Sequence, residues 1–163
     1  MKYFKFIILA CFLSLCILSC GNVEVIFDQK TFYNHWDQWQ DKNINNYQYR
    51  FNAFGWTHYD GIVFVEDGQF KNDNIIFGDS NMEYWVGYST IDKIFETIER
   101  TYLQNNNTQK SRNEYYLKAI HVKYDNINNI PVDIYYEYDL PKFSNMEIDG
   151  TFHFEIKDFS IMD

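Results

Sequence analysis

Three cysteines occur in the chain, and Cys11, Cys16 and Cys20 all fall within its first twenty residues. Beyond Cys20 there is no thiol for a nucleophile and no disulfide, so the rest of the chain must be held by its core. Positive charge is also scarce: 14 Lys and Arg stand against 23 Asp and Glu, a formal net charge of −9. Such a surface repels phosphate backbones and anionic headgroups, which argues against nucleic acid as a partner. The one long apolar run is Phe6–Leu18, shorter than the roughly 20 residues a membrane-spanning helix needs. No G-x-S-x-G, H-E-x-x-H, P-loop or dinucleotide fingerprint is present.

What is present begins with an address. Lys2 and Lys5 precede the apolar run, the order of a secretory leader. The run ends in Ile17, Leu18, Ser19, Cys20 and Gly21, which resembles the lipobox of bacterial lipoproteins. That resemblance implies a signal peptide over residues 1–19, diacylglycerol on the Cys20 thiol, palmitate labelling and a location in the cell envelope. Gly21 stands where an aspartate would retain some lipoproteins at the inner membrane, so an outer-membrane or surface position is favoured. Without Lys2 and Lys5 the mature chain keeps 12 basic against 23 acidic residues, a net charge near −11. Attachment to the membrane then rests on acyl chains, each buried methylene contributing ~0.8 kcal/mol. Residues 20–27 read as a short tether and 28–163 as one globular domain, with no interdomain linker.

Hydrophobic periodicity predicts the elements. Asp28 is placed to cap a helix over about 29–43, with Phe32, Trp36 and Trp39 on one face and Asn45 and Asn46 ending it. A Trp pair at this spacing suits either a sugar-stacking platform or core packing, and core packing is the reading, because a lone helix must bury one face. Tyr47, Tyr49, Phe51 and Ala53 alternate with Gln48, Arg50 and Asn52 as a half-buried strand. An apolar strand over 62–65 turns at Asp67 and Gly68 into a weaker return strand. Residues 78–88 read as a loop containing Trp85.

The strongest helix follows: Ser89 or Thr90 caps it, Ile91, Ile94, Phe95, Ile98 and Tyr102 form its stripe, and Glu96 pairs with Arg100 on the exposed side. The run "NNNTQKSRN" reads as a polar loop that buries nothing. Strands are predicted over 115–124, 131–138 and 151–157, the last with Phe152, Phe154 and Ile156 inward. The order predicts an α+β domain: an antiparallel sheet of about five to six strands with both helices on one face.

The stretches "YQYRF", "VFVEDGQF", "STIDKIFETI", "VKYDNINNIPVDIYY" and "DGTFHFEIKDF", in that order and spacing, resemble the DUF6174 family of uncharacterised bacterial exported domains and lipoproteins. The resemblance covers about Thr31 to Phe159. Tyr124, Asp125 and Pro131 match the family's inter-strand pattern, but Asn129 stands where glycine is usual and Ile130 where an aromatic is. Asparagine tolerates the left-handed conformation, so the turn is expected to survive. The family has no established activity, so the resemblance implies architecture and location alone.

Two function classes follow. The leading one is a membrane-anchored binding or envelope-associated domain, whose partner is an envelope protein or a glycan. The alternative is a cell-envelope hydrolase using acidic residues such as Glu147, Asp149 and Glu155 in acid and base roles. The segment "DNINN" has oxygen donors in Asp125, Asn126 and Asn128 but lacks the glycine and terminal glutamate of an EF-hand, and reads as a turn. No cofactor is expected. Strand parity sends His121, His153, Glu155, Asp133, Tyr135 and Glu137 to the face away from the helices, a candidate ligand face able to hold zinc or sense pH if neighbouring strands bring the histidines together.

Overall fold

Asp28 opens the first helix as expected: its carboxylate accepts from Thr31 N at 3.1 Å and from the Thr31 hydroxyl at 2.7 Å. Helix α1 runs Gln29–Lys42, within one residue of the expected end at 43. Asn43 takes φ +49°, a left-handed cap that asparagine tolerates and that returns its N–H to the Gln40 carbonyl. Thr90, rather than Ser89, caps helix α2, Ile91–Asn105, by accepting from Lys93 N, and Asp92 lies in its positive first turn. Arg100 donates to the Thr97 hydroxyl at 3.3 Å instead of pairing with Glu96.

The computed structural model describes residues 22–54, 57–78, 82, 85–109, 116–139 and 151–162. The leader, Cys20, Glu147 and Asp149 lie outside them. Six strands form one antiparallel sheet: β1 Tyr47–Phe54, β2 Tyr59–Glu66, β3 Gln69–Gly78, β4 Tyr116–Asp125, β5 Ile130–Asp139 and β6 Thr151–Ile161. Their spatial order is β3-β2-β1-β6-β5-β4. Each helix is thus followed by a three-strand meander, one spreading outward from the centre and the other returning inward, and the two meet where β1 pairs with β6. Helix α2 carries the chain from one edge of the sheet to the other. The fold is the expected α+β domain with two helices on one face of six strands.

Turns close where the residues permit. Asp67 at φ +50° and Gly68 at φ +72° join β2 to β3, and both angles belong to the hairpin turn that Asp-Gly favours. Between β4 and β5, Asn129 sits at φ +63°, so it does adopt the conformation that glycine would have supplied. Strand β6 extends past the predicted residue 157. A register shift against β1 and a positive φ at Asp158 turn Phe159 back to the core, where its ring meets Trp39 and Tyr47.

The core is aromatic. Phe32 and Phe95 join the helices, with Trp36 stacked on Phe95 at 5.5 Å. Trp39 is buried and Trp36 half-buried, so both serve packing. Buried tyrosines need partners for their hydroxyls. Tyr47 accepts from Ile91 N at 3.0 Å, filling one of the free donors at the start of α2. Tyr49 donates to the Tyr88 carbonyl at 2.5 Å, on the short 3-10 turn Val86–Tyr88. Tyr59 reaches Asp73 at 2.9 Å by folding over Gly61, where any Cβ would collide with the Tyr59 ring. Trp85, expected in a loop, is itself buried against Phe51, Tyr88 and Phe154.

Residues 22–26, in the stretch expected to act as a short tether, are bonded to the domain. Asn22–Val23 pair with Thr108–Gln109, Val25 N donates to Asn106 at 3.1 Å, and Ile26 bridges Ala119 on the edge strand β4. The same contacts show that the start of the Asn-rich run is engaged: Asn106 also donates to the Tyr102 hydroxyl at 2.8 Å. Short asparagine side chains supply the local hydrogen bonds, a role that hydropathy alone does not display.

Candidate functional site

The helices cover one face of the sheet, and the other face carries the side chains of opposite parity. Cross-strand register sets them in rows. Glu137 lies beside Ala119; Tyr135 lies between His121 and His153; Asp133 lies between Lys123 and Glu155. The second and third rows continue onto β1 through Phe54 and Asn52, and Asn52 lies opposite Asp60 of β2. All six predicted residues of the ligand face therefore share one surface.

Rings run across this surface from edge to edge. Phe77 of β3 lies 5.0 Å from His58, just before β2, and His58 stacks on Phe54 of β1 at 4.9 Å. Phe54 meets His153 of β6 at 6.0 Å, His153 meets Tyr135 of β5 at 6.2 Å, and Tyr135 meets His121 of β4 at 5.9 Å. Each strand, or the residue leading into it, contributes one ring. Six strands at about 4.8 Å spacing make the row roughly 24 Å long. Alternation marked His121, Tyr135 and His153, but Phe54, His58 and Phe77 sit at a strand end, before a strand and on a weakly patterned edge, where period-two reading has little to work on.

Four carboxylates on this face, Asp60, Asp133, Glu137 and Glu155, each have a cation beside them. Arg50 grips Asp60 through two bonds of 2.7 and 2.6 Å and holds its carboxyl below the usual range. Burial pushes the Asp133 carboxyl up, but hydrogen bonds from Lys123 at 2.6 Å and His153 at 3.0 Å outweigh this, and it too is lowered. Lys118, with help from His121 at 3.3 Å, lowers Glu137. Lys157 at 2.6 Å does the same for Glu155, which the Asn52 amide also supports.

The chemistry of the face follows. A glycosidase acid must stay protonated near neutral pH, which requires a raised pKa, and these four carboxyls are shifted the other way. Tyr135 separates the two histidines, since β5 lies between β4 and β6, and each imidazole faces a different carboxylate. Among the described residues no three His, Cys, Asp or Glu side chains come together to hold a metal ion. The face is instead a fixed array of rings and paired charges. Within it the Oδ1 of Asn52, a residue only 7 % exposed, is a buried acceptor without a hydrogen-bond partner.

No family model, curated protein or solved structure matches the chain. No helix among the described residues is long and apolar enough to cross a membrane.

Proposed function

We propose that the protein is a lipid-anchored domain of the bacterial cell envelope, tethered through Cys20, that binds a protein partner through the open face of its sheet, with His121, Tyr135 and His153 at the centre of the contact. The ring row is the observation that carries this reading. Phe54 stacks on both His58 and His153, with interplanar angles of 26° and 30°, so part of each ring face is taken up by its neighbour. A sugar needs an open ring face on which to lie, whereas a protein surface can pack against edges, imidazole nitrogens and a tyrosine hydroxyl. Aromatic groups held in place suit a protein contact because little side-chain freedom is lost on binding. The resemblance to DUF6174 domains supports the exported, lipoprotein setting.

The test is photo-crosslinking in cells, with a benzophenone side chain at Tyr135 and, as the comparison, at Leu103 on the helix side. A discrete adduct from position 135 that disappears on His153→Ala is expected. Adducts from Leu103 but none from Tyr135 would overturn the assignment of the face. The anchor is tested separately: wild type should incorporate labelled palmitate and Cys20→Ser should not, because serine cannot form the thioether.

A further inference from the structure

We infer that the end of the sheet where β4 begins rests on the bilayer, and that Phe54, Ile75, Ile76 and Phe77 form an apolar corner dipping into the neutral lipid interface. This rests on the lipid anchor proposed at Cys20. Two independent observations carry it, one from chain length and one from exposure.

The first is where the tether comes free. Asn22 is already in a ladder with Gln109, which leaves two peptide steps back to Cys20, about 7 Å at full extension. The bridge between Ile26 and Ala119 is parallel, so the chain before Ile26 leads back towards the Tyr116 end of β4. Antiparallel pairing places Tyr116 at the same end of the sheet as Asp139, Thr151, Phe54, Tyr59 and Gly78. A lipid on Cys20 therefore holds that end against the membrane and leaves no length for the domain to stand away from it.

The second is what that end displays. Phe77 is 63 % exposed, Ile76 51 %, Ile75 46 % and Phe54 42 %. The Phe54 and Phe77 rings are joined through His58, so the four residues form one corner. Single exposed apolar residues need no explanation, but a contiguous group does. Ile127, in the β4–β5 turn, and Ile161, at the end of β6, are the large exposed apolar residues at the opposite end, one on each element.

The corner sits roughly 24 Å from the β4 edge across the sheet, so anchor and corner give two separate points of contact. An acidic domain gains nothing from anionic headgroups, which points to a zwitterionic surface and to apolar insertion that persists at high salt. The strands then stand on the membrane. The His121–Tyr135–His153 part of the open face turns sideways and stays accessible to a partner, while the Phe54–Phe77 part faces lipid.

The experiment uses the lipidated protein isolated from cells. With Cys11 and Cys16 removed with the leader and Cys20 acylated, an introduced cysteine is the one free thiol. Ile76→Cys and, at the far end, Ile127→Cys are labelled with a polarity-sensitive dye. Each is placed in phosphatidylcholine vesicles whose acyl chains carry a quencher. We expect a blue shift and several-fold stronger quenching at 76 than at 127, unchanged in 1 M salt. Equal quenching at both positions, or stronger quenching at 127, in protein that floats with the vesicles would overturn the orientation and leave the anchor standing. Protein that neither incorporates palmitate nor floats would remove the anchor and the orientation together.

Discussion

Replacing Phe95 by alanine tests the central joint of the fold. Phe95 has no exposed surface, and its ring lies 5.6 Å from Phe32 and 5.5 Å from Trp36, the latter with planes only 5° apart. Lost burial alone costs about 1.5–3 kcal/mol, and the cavity left between two helices and the sheet brings the total to about 3–5 kcal/mol. Against a domain stability of ~5–15 kcal/mol this is a large fraction, and no disulfide among residues 22–163 offsets it. At roughly 3 °C per kcal/mol for a chain of this size, the melting temperature should fall by about 10–15 °C. Thermal unfolding followed by circular dichroism measures it, with Phe77→Ala as the comparison. Phe77 is the same side chain at 63 % exposure, and its removal should change stability by no more than about 0.5 kcal/mol. If both variants melt alike, or Phe95→Ala melts with the wild type, the assignment of the inner face of α2 is wrong.

Tyr47→Phe keeps the buried ring but removes the hydroxyl that accepts from Ile91 N. The stranded N–H should cost about 1–3 kcal/mol, read as a lower urea midpoint with an unchanged slope. The ion pair between Arg50 and Asp60 should give a pH signature. The Asp60 carboxyl is held below its ordinary value by Arg50, so its contribution is complete above the ordinary carboxylate pKa and is lost as pH falls through the lowered one. Denaturation midpoints from pH 7 to 3 should therefore fall less steeply in Asp60→Asn than in wild type, and parallel curves would refute the coupling.

Both helices and the inward sides of the strands were legible in the sequence because one-sided burial imposes a period on it. Ile91, Ile94, Phe95, Ile98 and Tyr102 are buried as their spacing required, and Phe154 and Ile156 turn inward as alternation required. The interruptions were not legible. Tyr59 to Gly61 begin β2 ahead of the apolar run, because a glycine that admits a tyrosine ring does not look like strand. Nothing beside Trp85 in the sequence signals its burial, which comes from Phe51 and Phe154, both distant in the chain. For the candidate face, parity placed the six residues on one surface, whereas strand order decided which of them meet. Nothing local in the sequence announces that β5 separates His121 from His153.

The seam between β1 and β6 also sets a timetable. Tyr47 pairs with Ile161, roughly 110 residues away along the chain, and contacts so distant form late and slowly. Until the final strand arrives, β1 and β5 each have one neighbour, so neither meander can close the core with the helices. A chain made from its N-terminus thus lacks its central pairing until nearly all of it has emerged. Truncation before residue 151 should leave an open sheet that proteases clear, which makes the closing strand the checkpoint for the whole domain.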